Sequence, residues 1–180
     1  MRELFTRKML KNLTTICLFL ALFTHKASAQ ESYMYVNGSG SFALPFGKDF
    51  SNAYSFGAGA QVGGGISVLN TYLTGRVGYM QFFKKPGNKF GNLTYIPFKF
   101  GLRHYFVEEY MFVYGDAGFA IINNDGMFAS ETKFTYGAGA GIKFSEQHIE
   151  VELGYQGVNL KKPYVTAGWI ELKVGYNLPL

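Results

Sequence analysis

From about residue 33 onward, apolar and polar side chains alternate through eight segments of roughly ten or more residues. A strand sends successive side chains to opposite faces, so each such segment separates two environments. The alternation predicts strands over about Tyr33–Leu44, Ser55–Leu69, Tyr72–Phe83 and Leu93–Phe106, then Tyr110–Ile122, Lys133–Phe144, His148–Val158 and Val165–Leu178. In the first, Met34, Val36, Phe42 and Leu44 share one face, with Tyr35, Asn37, Ser39 and Ser41 on the other. In the last, Ile170, Leu172, Val174 and Tyr176 oppose Trp169, Glu171, Lys173 and Gly175.

The connectors carry independent information. Residues 45–54, 84–92, 123–132 and 159–164 are longer and rich in Gly, Pro, Asn and Lys, while the three between them span two or three residues. Long and short in strict turn is the order of an up-and-down barrel with both termini on the short-turn side. The charges say which face is inward. Arg76, Lys99, Arg103, Lys143 and Lys173 fall on the polar phase, as do Asp116, Glu150, Glu152 and Glu171. A basic residue facing lipid at mid-membrane costs about 2–4 kcal/mol, so the aliphatic phase is the one that suits lipid. The expectation is an all-β fold: an eight-stranded, antiparallel, transmembrane barrel, its nine polar-phase charges forming an ion-pair network in a side-chain-filled lumen. Tyr79, Phe83, Tyr95, Phe106, Tyr136, Tyr155 and Tyr176 are candidates for interfacial girdles, or else the aromatic residues that strands favour in any case.

Composition agrees, with 18% aromatic residues, 23 glycines and only 16% charged residues in 180. The N-terminus reads as a secretory leader. Arg2, Arg7, Lys8 and Lys11 precede an apolar run from Leu13 to Phe23, and Ala27-Ser28-Ala29 supplies a signal-peptidase site. Cleavage is expected between Ala29 and Gln30, giving a signal peptide over 1–29 and one barrel domain over 30–180. The sole cysteine, Cys17, falls within the leader, and Ile16 before it argues against lipid attachment. Removal of the leader takes five basic residues and one acid, leaving 12 basic against 11 acidic. The basic pI of the whole chain is therefore no sign of a nucleic-acid partner.

Three stretches carry a family resemblance: Ile96 through Phe106, Tyr114-Gly115-Asp116-Ala117-Gly118, and Tyr136 through Gly141. With a last strand running to the C-terminus, the chain resembles the small eight-stranded outer-membrane barrels of the OmpX and OmpA-transmembrane-domain type. That resemblance implies residence in a Gram-negative outer membrane, contact with its lipid and lipopolysaccharide, and handling by the barrel-assembly machinery. Members of that group usually end in an alternating strand with a terminal aromatic. Here the alternation reaches the end, but Leu180 is final and Pro179 precedes it.

Motifs for chemistry are sparse. His104 and His148 have no two-His metal spacing and no thiol partner, so no metal or other cofactor is expected. No catalytic residue is assigned: neither histidine has a serine two residues away, and Glu150 and Glu152 face basic residues. The glycines from Gly57 to Gly65 miss phosphate-loop spacing. The expected role is a non-enzymatic barrel whose loops 45–54, 84–92, 123–132 and 159–164 serve adhesion, surface binding or envelope integrity. The alternatives are a small channel, an outer-membrane lipid-modifying enzyme, and a soluble lipocalin-like ligand carrier.

Overall fold

A computed structural model describes residues 34–68, 71–87, 91–107, 110–124, 130–144, 147–159 and 167–179. The expected leader and the cleavage site expected at Ala29 and Gln30 lie outside these residues, as do 88–90, 125–129 and 160–166 of three loops.

Eight strands close on themselves: β1 (Met34–Phe46), β2 (Tyr54–Val68), β3 (Thr71–Lys84), β4 (Leu93–Val107), β5 (Met111–Asn124), β6 (Glu131–Phe144), β7 (Ile149–Val158) and β8 (Ala167–Pro179). Each pairs antiparallel with the next, and β1 pairs with β8 from Tyr35 opposite Pro179 to Phe46 opposite Gly168. Closure leaves no sheet edge, the condition for strands in hydrocarbon. The observed strands start or end within about two residues of the expected ones. Tyr33, Leu69 and Val165 fall outside the described residues.

The phase of every strand is the one read from the alternation. Leu44, Val62, Leu73, Phe98, Leu102, Phe119, Leu153 and Val174 point outward and are exposed. Phe100, midway along β4, is 74% exposed and faces lipid. The inward phase is buried.

One element was not expected. The connector 45–54 contains a helix, α1 (Lys48–Ala53), entered through Gly47 at φ 86°. That backbone region favours glycine. The helix exposes Lys48 and Asp49 and buries Phe50. Lys85 N–H bonds to the Ala53 carbonyl at 3.0 Å, tying the 84–92 loop to the end of α1.

Candidate functional site

Among the described residues, chemistry-bearing side chains converge in the lumen, which is layered. Glu152 on β7 is the hub of the middle layer. Arg76 on β3 donates to it from both terminal guanidinium nitrogens, at 2.9 and 3.0 Å. Lys173 on β8 approaches at 2.6 Å, and Arg103 on β4 also binds it. Asp116 on β5 holds Lys99 at 3.1 Å, and Lys99 gives a second hydrogen bond to Gln156 Oε1 at 2.7 Å. Arg76 and Lys173 both lie against the Tyr114 ring, at 4.9 and 4.8 Å from its centroid.

Below this, towards the short turns, Glu150 accepts from Arg103 Nη1 at 2.7 Å, from Asn177 at 2.9 Å and from Asn37 at 3.0 Å. Tyr35, Tyr72, Tyr105 and Phe112 then form a chain of ring contacts 5.1–5.6 Å apart. Arg103 also stacks on Phe112 at 4.1 Å. Above, towards the loops, Trp169 packs against Phe82, Tyr95 and Phe50 at 5.0, 4.9 and 6.1 Å. Tyr95 OH meets Thr135 at 2.6 Å, and Asn124 donates to Tyr54 OH at 3.0 Å. A polar middle thus lies between two aromatic layers, α1 completing the upper one with Phe50.

Small inner residues make room for these side chains. Gln156 occupies the space that a side chain at Gly137 would need, and Tyr114 OH does the same over Gly139 and Gly154.

Of the nine charges expected in the lumen, Arg76, Lys99, Arg103, Asp116, Glu150, Glu152 and Lys173 are brought together by these contacts. Lys143 sits nearer the turn end, its ammonium 5.8 Å from the Tyr105 ring centroid. Glu171 is buried but has no hydrogen bond or ion pair among the described residues. Asn37, Tyr114, Gln156 and Asn177 join the cluster without having been singled out. They share the inward phase, and reading that phase for every polar residue, not only charged ones, finds them.

Tyr95 was a candidate for an interfacial girdle. It lies instead on the inward phase of β4, buried against Trp169. Its neighbours Ile96 and Phe98 take the outward positions, and alternation leaves Tyr95 no other side.

The histidines stand apart. His104 faces outward near the turn end, where its Nδ1 meets Thr71 Oγ1 at 3.0 Å. Among the described residues its ring meets no carboxylate. His148, at φ 55°, packs its ring 6.0 Å from Tyr176, while Glu150 is held by Arg103 and two asparagines. Among the described residues no three His, Cys, Asp or Glu side chains form a metal-binding group.

A lumen of this kind, inside a closed barrel with an aliphatic exterior, belongs to an outer-membrane protein. The family described as outer membrane protein beta-barrel domain matches residues 15–177. The chain belongs to that family. Among curated proteins no sequence match is found. Solved structures match at fold level. Neisserial surface protein A is 15% identical, with TM-score 0.56 over 82% of this chain and 97% of its own. The Yersinia pestis outer membrane protein Ail, in a phospholipid nanodisc, is 18% identical with TM-score 0.53 over 82% of this chain and all of its own. PagL, described as an outer membrane enzyme, is 14% identical with TM-score 0.52 over 78% of this chain and 98% of its own. At these identities the likeness extends to the fold alone.

Proposed function

We propose that the protein is a non-enzymatic outer-membrane barrel, plugged by its own side chains, that works through its surface loops. The filled lumen carries this reading. Hydrogen-bonded ion pairs occupy the middle, aromatic rings occupy both ends, and an eight-stranded barrel has little interior beyond what side chains fill. Planar-bilayer recording tests it. The expected result is no steady conductance from the refolded barrel, and reproducible unitary steps would overturn the plug in favour of a small channel.

The rim charges favour an anionic surface partner. The four long connectors carry six lysines against three acids, whereas the short turns carry Glu108, Glu109 and Glu146 and no basic residue. Lys48, Lys84 and Lys85 are exposed. Phosphate-bearing lipopolysaccharide of the surrounding leaflet suits such a rim, as does an acidic glycan on another surface. Removal of loops 45–54, 84–92, 123–132 or 159–164 one at a time, scored by cell-surface binding and by envelope leakage, separates adhesion from envelope integrity. Retention of both in all four deletions would refute a loop-based role.

In this reading residues 1–29 are a signal peptide cleaved before Gln30, and mass spectrometry of the membrane-extracted chain reports the cut. The barrel-assembly machinery reads the alternating last strand. An enzymatic reading has Thr71 and His104 as its hydroxyl–imidazole pair, but the ring lacks an orienting carboxylate among the described residues. Unchanged lipid A and phospholipid masses after deletion of the gene are expected.

A further inference from the structure

The seam between β3 and β4 has a break. Thr71–Val77 pair with His104–Phe98, and pairing resumes in the same register with Met80 opposite Tyr95. Gly78 and Tyr79 therefore stand opposite Pro97 and Ile96 without pairing. Proline has no N–H, so Pro97 cannot give a hydrogen bond to the Gly78 carbonyl across the seam. Interior proline in a barrel strand leaves a backbone acceptor short of a donor at membrane depth, where no bulk water can supply one.

A cavity of about 10 Å³ lies at this break. Gly78 and Pro97 form its wall side, and Ser41, Gln61, Lys99 and Glu171 line it from the lumen. The space is that of roughly one water molecule. Glu171 is 5% exposed, and no hydrogen bond or ion pair satisfies it among the described residues. Lys99, its neighbour in the lining, is engaged by Asp116 and Gln156. A buried carboxylate without a donor is a costly arrangement.

We propose that this cavity is a built site for a single water, which donates one hydrogen to the Gly78 carbonyl, replacing the missing Pro97 N–H, and the other to the Glu171 carboxylate. Two acceptors without donors border one small space, and water brings two donors. Charge selects water over a cation. Arg76, Lys99, Arg103 and Lys173 already balance Asp116, Glu150, Glu152 and Glu171 in the deep lumen. A sodium ion would add an unbalanced positive charge beside Lys99. The bound water repairs the ladder where proline breaks it and hydrates the carboxylate that the ion-pair network leaves out.

The test uses the isotope-labelled chain folded in phospholipid nanodiscs, with water–amide cross-relaxation recorded in sodium and then potassium salt. A long-lived water cross-peak to the Gly78 or Tyr79 amide is expected, equal in both salts. Gly78→Ala should remove it, because the new methyl enters the lumen side of the seam 2.9 Å from Gln61 Cβ. Pro97→Ala restores an N–H and should weaken the cross-peak while residue 97 gains protection from hydrogen exchange. No cross-peak in the parent chain with those amides assigned would overturn the site. So would a Gly78 shift that follows the exchange of sodium for potassium, which would indicate a cation. If Gly78→Ala fails to fold, Pro97→Ala decides, and an undiminished cross-peak there counts against the proposal.

Discussion

Glu152→Gln is the most telling single change in the lumen. The substitution keeps shape and removes charge from a carboxylate that Arg76, Arg103 and Lys173 all contact. At an effective dielectric of about 20, each contact near 3 Å is a gross attraction of about 5–6 kcal/mol. Most of that is offset by the desolvation of the ions. After the change Arg103 keeps Glu150 at 2.7 Å and Arg76 keeps Asp116 at 3.9 Å. Removing one partner of a buried network typically costs about 3–5 kcal/mol, and the loss of contacts to three cations at once, with Lys173 left without another ion pair among the described residues, puts Glu152 at the upper end. Glu171→Gln is the internal control: that carboxylate makes no hydrogen bond or close ion pair among the described residues and acts on Lys99 and Lys173 only at longer range, so its loss should cost less than that of Glu152. Urea unfolding in lipid vesicles, followed by the heat-dependent gel mobility of folded barrels, measures both. A loss for Glu152→Gln no larger than that for Glu171→Gln would refute the hub.

Other changes probe the remaining layers. Gly139→Val should abolish the folded, heat-modifiable band, because a side chain there meets the Leu153 carbonyl and Tyr114 OH, whereas Gly40→Ala should leave it intact, with nothing within 4 Å of the added carbon. Phe100→Arg places a cation on the lipid face midway along β4 and should cost about 2–4 kcal/mol in the same unfolding assay. Trp169, the sole tryptophan, is 1% exposed inside the barrel, so brominated lipids should barely quench its fluorescence. Moving the tryptophan outward, in a Trp169→Phe, Phe98→Trp chain, should restore strong quenching, and equal quenching of the two chains would place Trp169 at the lipid face.

What the sequence showed and what it concealed have different physical origins. Strand phase was legible because a period of two is rigid: a slip by one residue sends Lys99 and Arg103 to lipid together, so the whole pattern reads one way. The ion pairs were legible only as a charge balance. Which cation meets Glu152 depends on strand stagger around a closed cylinder, and that brings Arg76 and Glu152 together from residues 76 apart in sequence. The helix α1 was hidden because six residues carry too little periodicity to stand out in a Gly- and Asn-bearing connector. Tyr95 was misassigned by residue type, an aromatic near a strand end, although its phase already pointed inward. The break at Pro97 was visible as a residue, but its consequence depended on knowing that Gly78 stands opposite.

The distribution of contributors argues that barrel stability and loop function are separable. The ionic and amide side chains of the middle and lower layers come from β1, β3, β4, β5, β7 and β8, while β2 and β6 face that region largely with glycines. Apart from Phe50 on α1, the contacts described within the lumen come from strands. Shortening the connector between Asn124 and Glu131, which keeps the Asn124–Tyr54 hydrogen bond, should therefore shift the unfolding midpoint little. Replacing 47–53, which removes Phe50 from Phe82, Tyr54 and Trp169, should destabilise by about 3–5 kcal/mol, as deletion of a buried aromatic does. Equal losses from the two replacements would show that loops and lumen form one cooperative unit, and that surface binding constrains the barrel interior. The layering argues for the opposite: a rigid, self-filled cylinder whose upper rim is free to change its partner.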